Sequence, residues 1–260
     1  RRYTWAESYV RMRQLASALN GAGLGLGDTV SVIAANTPEM FEAHYGVPMA
    51  GCVLNTINTR LEAETIAYIL ENSDCRLLIV DTAFHETVVT ALASLDPVNR
   101  DRIKVIDIRD PQAGDMPHIG DQDYESFIGA GDPAYDWQMP ADEWQALALG
   151  YTSGTSGRPK GVVYNHRGAY LYCMGTAAGL SLPQHPTYLY IVPMFHCNGW
   201  CHAWTMTMMA ATIVLTRVIS ADAIFGAITE HRVTHFAGAP IVLAMLVNAP
   251  EAQRPKLDYT

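Results

Sequence analysis

The chain has 260 residues, 49% of them apolar and 17% charged, with a formal net charge of −9. At roughly 150 residues per domain this is one large α/β domain or two small ones, with core enough to fold and no resemblance to a disordered chain. The negative balance and the lack of a Lys/Arg stripe exclude a nucleic-acid partner, which must displace counterions from many phosphates; a few oriented amides and one lysine still suffice for a small anion.

Short β-rich runs alternate with helical patterns, which predicts an α/β fold of mostly parallel sheets flanked by helices. Trp5, Tyr9, Met12, Leu15, Ala16 and Leu19 recur at helical spacing, and Gly21 and Gly23 stop that helix. Thr29 to Ala35 reads as a strand, and Pro38 opens the next helix where its missing N–H costs nothing. Thr59-Arg60-Leu61-Glu62 has the form of a capping box before a helix reaching Asn72. A strand over Arg76 to Val80, a helix over Phe84 to Leu95 and a strand over Ile103 to Ile108 follow.

From Arg109 to Asp142 the alternation breaks down into recurrent Pro, Gly and Asp, with a short helix predicted at Tyr124 to Ile128. The excursion over 109–145 is the expected boundary between two sub-units of the fold. Strands are then predicted at Ala146 to Tyr151, Gly161 to Tyr164, Tyr188 to Val192, Thr212 to Leu215 and His235 to Gly238. Helices are predicted at Arg167 to Leu182, Trp200 to Met209, Ala221 to His231 and Pro240 to Val247. Ligands in such sheets bind at the carboxyl ends of strands. Two loops hold that position, Thr152 to Lys160 and Pro193 to Gly199.

Five cysteines occur, at positions 52, 75, 173, 197 and 201. An odd count with no signal peptide predicts a reduced, cytoplasmic protein. The apolar stretch from Trp204 to Leu215 is too short for an integral membrane segment and reads as a core helix. The chain opens at Arg1 without a methionine and stops without a tail-like composition, so both ends read as cuts in a longer polypeptide.

The loop after the Ala146 strand is Thr152-Ser153-Gly154-Thr155-Ser156-Gly157-Arg158-Pro159-Lys160-Gly161. Glycines admit positive φ, so successive N–H groups can point into one concavity. The hydroxyls add rotatable donors, and Lys160 adds a compact charge for phosphate oxygens. It is not a Walker A loop, because Lys160 leads into a strand where that pattern needs a helix. A Gly/Ser/Thr-rich surface loop is the bland alternative on composition alone.

The twelve residues from Tyr151 to Val162 resemble the signature of the adenylate-forming superfamily, which includes acyl-CoA synthetases, peptide-synthetase adenylation domains and luciferases. Trp5-Ala6-Glu7, Gly27-Asp28-Thr29-Val30 and Ile57 to Leu61 look like the early part of that family. Pro193-Met194-Phe195-His196-Cys197-Asn198-Gly199-Trp200 looks like its second signature, with Phe-His and Asn-Gly-Trp most similar to the fatty-acyl-CoA synthetase and 3-methylmercaptopropionyl-CoA ligase branch.

The resemblance implies an acid–CoA ligase that activates a small to long-chain carboxylic acid with ATP and Mg2+ as acyl-AMP, then transfers the acyl group to coenzyme A. It implies ATP binding by Thr152, Ser153, Gly154, Thr155, Ser156, Gly157 and Lys160, with Thr152 also a magnesium contact. His196 would be the catalytic residue beside the acyl-adenylate, and His196, Gly199 and Trp200 would form the acid site. The family's downstream magnesium-binding acid, ribose-binding Asp and C-terminal adenylation lysine do not occur here. The expectation is therefore an incomplete N-terminal AMP-binding domain over 1–260, inactive alone, with homodimerisation open. A peptide-synthetase adenylation domain and a non-catalytic nucleotide-binding relative are the alternatives.

The spacing His196-Cys197 to Cys201-His202 departs from structural zinc patterns, and small cysteines beside a substrate loop are the weightier reading. No Gly-x-Ser-x-Gly elbow supports a serine hydrolase. Tyr188, Tyr190 and the Met206, Met208, Met209 cluster read as core rather than pocket. Gly238-Ala239-Pro240 either borders the acyl tunnel or is a plain strand-to-helix turn.

Overall fold

The computed structural model describes residues 1–152 and 157–259. Strands β1 (Thr29–Ile33), β2 (Val53–Thr56), β3 (Cys75–Asp81), β4 (Lys104–Ile108), β5 (Gln122–Asp123), β6 (Ala146–Thr152) and β7 (Lys160–Asn165) form one sheet in the order β5-β4-β3-β1-β2-β6-β7. All neighbours are parallel except β6 and β7, which form an antiparallel hairpin at one edge. A second sheet contains β8 (Thr187–Tyr190), β9 (Thr212–Leu215) and β10 (His235–Ala237), parallel in the order β10-β8-β9.

The helices of the first sheet are α1 (Trp5–Gly21), α2 (Pro38–Met49), α3 (Ala63–Asn72), α4 (His85–Ala93), α5 (Pro97–Arg102), α6 (Tyr124–Gly129) and α7 (His166–Gly179). The second sheet carries a four-residue turn α8 (Cys197–Trp200) and helices α9 (His202–Met208), α10 (Ala221–His231) and α11 (Pro240–Val247).

The inner strand β1 is buried along its whole length and β3 everywhere but Arg76, so they read as nearly continuous buried runs. Their side chains still alternate between faces with period two. Val30, Val32, Leu77 and Ile79 join the core beneath α1, α2 and α6, while Ile33, Leu78 and Val80 join the core beneath α3 and α4. In the second sheet Tyr188, Tyr190 and Val192 pack into the first of these cores, whereas Leu189 and Ile191 face α10. Both tyrosines are core residues, as expected. The two sheets thus share one core.

An ionic tie also joins them. Arg217, just beyond β9, bonds Asp81 at the end of β3 (2.6 Å) and Asp110 beyond β4 (2.9 Å), and both carboxylates are buried. Removing one partner from such a buried group typically costs about 3–5 kcal/mol, because a charge is left unpaired.

Several local expectations need correction. The helix after Thr59 begins at Ala63 with Glu62 as its N-cap and no side-chain cap bond, because Asn58 Oδ1 takes the Arg60 N–H and turns the chain first. The capping box belongs to α1: Thr4 Oγ accepts the Glu7 N–H, and the Glu7 carboxylate accepts the Thr4 N–H. Strand β2 has no clear sequence signal because Asn55 and Thr56 interrupt its apolar run; Asn55 is buried, donating to Ser31 Oγ of β1 at 2.9 Å. Helix α5 and strand β5 are too short for a periodic signal. Within 109–145, β5 pairs with β4 and α6 packs on α1, so this segment belongs to the first sheet. The chain passes from the first sheet to the second between β7 and β8.

Candidate active site

Thr152 ends β6 and Lys160 begins β7, and the two are cross-strand partners, both exposed. Ser153, Gly154, Thr155 and Ser156 lie outside the described residues. Gly157 has φ +90° with open space where a Cβ would stand, so its requirement is conformational rather than spatial. The base of this hairpin is anchored to α3. Tyr151 OH donates to Asn72 Oδ1 (2.8 Å), and the Arg158 guanidinium lies 5.6 Å from the Tyr68 ring. Burial, then Tyr68, push the Tyr151 phenol up to about 12.

The second loop leaves the end of β8. His196 is exposed and caps α8; its two ring nitrogens are each 3.9 Å from Cys197 Sγ. Cys197, Asn198, Gly199, Trp200 and Cys201 all have positive φ, from 49° to 57°. The helix expected from Trp200 to Met209 is therefore a left-handed turn followed by α9. Left-handed backbone costs non-glycine residues roughly 1–2 kcal/mol each and persists only where surrounding structure fixes it. Gly199 is where the turn has no room: an added Cβ would stand 2.2 Å from Tyr190 OH, whose hydroxyl donates to the Gly199 carbonyl at 3.0 Å. Asn198 is buried, and neither amide atom has a partner among the described residues.

Trp200 is half-buried, its ring edge-on to His202 at 5.9 Å. Behind it His202 Nδ1 lies 2.5 Å from Tyr188 OH, and Tyr188 stacks edge-on to Tyr190 at 5.6 Å. Burial pushes His202 down to about 4, so the ring is neutral at pH 7, and pushes the Tyr188 phenol up.

The second loop lies against the hairpin strands that bear the first. The α8 turn packs against β6, and Tyr164 of β7 sits beside the Cys197 thiol; burial first and that thiol second push this phenol up to about 12. Residues that the sequence reading missed hold the second loop against the first sheet. Asn36, beyond β1, donates through Nδ2 to the Tyr190 and Val192 carbonyls (2.9 and 3.0 Å) and accepts the Met194 N–H at 2.8 Å. Thr56 Oγ donates to the Phe195 carbonyl at 3.2 Å. No sequence motif singled them out, since their partners lie more than 130 residues away.

Among the described residues no group of three or more His, Cys, Asp or Glu side chains is arranged to hold a metal. A cleft of about 550 Å³ lined by Arg1, Glu39, Asp110 and Tyr124 includes no residue of either loop. No described helix is long and apolar enough to cross a membrane.

A mainly parallel sheet flanked by helices, with an edge hairpin and a left-handed His/Trp turn packed against it, defines an α/β protein. The chain belongs to the AMP-binding enzyme family, whose model matches residues 1–259. It is 45% identical over 258 residues to an acetate–CoA ligase, CCL3, of Humulus lupulus, covering 96% of this chain and 45% of that protein. It is 43% identical to a peroxisomal acetate/butyrate–CoA ligase, AAE7, of Arabidopsis thaliana, covering 96% of this chain and 46% of that one. The chain spans about half the length of these relatives. A benzoate–CoA ligase from Burkholderia xenovorans superposes with a TM-score of 0.81 at 26% identity, over 96% of this chain and 47% of that one. The N-terminal domain of FACL13 from Mycobacterium tuberculosis has the same fold, with a TM-score of 0.82 at 24% identity, over 96% of this chain and 59% of that domain.

Proposed function

We propose that this chain supplies the phosphate loop and part of the acid site of an ATP-dependent acid–CoA ligase acting on short carboxylic acids. The observation that supports the reading is the packing of the His196–Trp200 turn, with its half-buried ring and exposed imidazole, against the β6–β7 hairpin whose strands lead into and out of the Gly/Ser/Thr-rich loop. The relatives named for acetate, acetate/butyrate and 2-methylpropanoate support the short-acid assignment.

In the first step a carboxylate oxygen attacks the α-phosphorus of ATP, the bond to pyrophosphate breaks, and pyrophosphate leaves with the electron pair. In the second the coenzyme A sulfur attacks the acyl carbon, loses its proton, and AMP departs. Lys160 and the hydroxyls of Thr152 to Ser156 would hold the phosphates, His196 would orient the carboxylate, and Trp200 would wall the acyl group. Gly199 serves this site through its backbone, letting the turn close on Tyr190.

Mg2+ is commonly held by one or two carboxylates together with substrate phosphates. Thr152 brings a hydroxyl for such an ion, and neither loop, over 152–160 or 193–199, contains an Asp or Glu, so this part of the chain is a partial fit. When bound, the ion would neutralise phosphate charge.

Five free cysteines suit a reducing compartment such as the cytoplasm, while the Arabidopsis relative is described as peroxisomal. A fluorescent fusion of the full-length gene product distinguishes the two, and light scattering tests for a homodimer. The function itself is tested by ATP–pyrophosphate exchange and thioester formation by the full-length protein with acids of two to sixteen carbons. Activity concentrated among acids of about two to five carbons is expected; no exchange with any acid, or exchange only with amino acids, overturns the proposal.

A further inference from the structure

We infer that Asn36 is a positioning residue for the acid site, acting from the first sheet on a loop of the second. The inference rests on reading the His196–Trp200 turn as part of that site. Five consecutive positive φ values and the buried Asn198 amide, without a partner among the described residues, make this turn a conformation that would relax if it were free. The chain entering it is therefore fixed from outside. Asn36 is buried and uses both ends of its amide, spanning Tyr190, Val192 and Met194 with three hydrogen bonds of 2.8–3.0 Å.

A side chain that donates to two carbonyls and accepts from an N–H of the same segment sets its path as a neighbouring strand would. It does so where β8 has ended and ladder bonds no longer can. Thr56 continues the tether by one residue, to the Phe195 carbonyl beside His196. Asn36 follows β1 and Thr56 ends β2, the strand between β1 and β6. The strand that leads into the phosphate loop and the anchors of the acid loop thus belong to one rigid sheet. Neither anchor presents a group to the reacting atoms, so both act through the backbone they hold.

The test uses the full-length enzyme with Asn36→Ala and, as a near-isosteric second variant, Thr56→Val. Hydrogen–deuterium exchange of amides 191–200 is read together with steady-state kinetics for acid and for ATP. Asn36→Ala should speed exchange in that segment about tenfold or more while the rest of the chain keeps its protection. It should lower kcat/KM for the acid by about tenfold to a hundredfold and leave KM for ATP within about twofold, the scale set by losing several buried hydrogen bonds. Thr56→Val should move both readouts the same way and less. If Asn36→Ala does not fold, Thr56→Val carries the test alone. Unchanged exchange over 191–200 overturns the tether. Faster exchange with unchanged acid kinetics leaves the tether standing and overturns the placement of the acid site in this loop.

Discussion

Thr152 and Lys160 face each other across the first rung of the β6–β7 hairpin, so the loop that carries most of the hydroxyls and glycines starts and returns at one point of the sheet. Both side chains are exposed there. Lys160 is therefore placed by a ladder rather than by the loop. Lys160→Ala in the full-length protein should leave the fold intact and reduce ATP-dependent activation about 10- to 100-fold, as expected for a lost charge-assisted phosphate contact. Adenylation kinetics matching the parent enzyme in a folded variant would remove this lysine from the phosphate site.

Trp200 and His196 occupy one turn but differ in setting, the ring half-buried against His202 and the imidazole exposed. Trp200→Ala should widen acid selectivity toward bulkier acids with little change in KM for ATP. His196→Ala should lower turnover with every acid tested, by roughly 10²-fold if it acts in positioning or proton transfer. Kinetics with one short and one long acid separate the two effects. An unaltered selectivity profile in Trp200→Ala would assign the ring to the core.

Gly199 is locked between a positive φ and the Tyr190 hydroxyl. Gly199→Ala should cost roughly 2–4 kcal/mol of stability, combining backbone strain with overpacking. Adding Tyr190→Phe should restore part of that loss, since it deletes the nearest atom and leaves the ring carbons within 3 Å of the new methyl. Denaturant melts of the single and double variants form the cycle; strictly additive losses would mean that the contact is relieved by loop movement instead.

The pH response is set by buried groups of opposite sign. His44 and His202 are held down to about 4 by burial, against 6.5 for an exposed histidine. The unfolded chain therefore binds more protons between pH 6.5 and 4, and their contribution is complete above 6.5 and is lost as pH falls to 4. Glu42 works the other way. Burial raises it to about 7 although Arg11 and Tyr124 bond it, so it favours the native state as pH falls from 7 toward 4.5. Comparison with His202→Gln isolates one histidine. The stability of the variant relative to the parent should rise by about 1.4 kcal/mol per pH unit as pH drops through that window. A pH-independent difference would show that His202 titrates normally.

Much of this protein was legible in its sequence because the signals were local. The strands that flank the Gly/Ser/Thr-rich loop, Pro38 after Thr37, and the apolar runs of β1, β3 and β4 each state their conformation within a few residues. The adenylate-forming resemblance, carried by two short signatures, agrees with the family match over residues 1–259. Other features needed partners remote in the chain. Strand β2 is polar in half its length and is a strand only because β1 and β6 take its backbone bonds and Ser31 takes Asn55. The left-handed path from Cys197 to Cys201 takes Trp200 and Cys201 out of the helix expected from Trp200 to Met209, and Tyr190 bonds it at Gly199. Asn36 and Arg217 carry no motif at all: their roles arise when segments more than 100 residues apart are brought within 3 Å. Sequence determined most of the strands and turns and the family resemblance, since turn and strand preferences are short-range. Only the tertiary structure decided how those loops are held, because buried hydrogen bonds and close packing depend on which distant groups arrive at the same place.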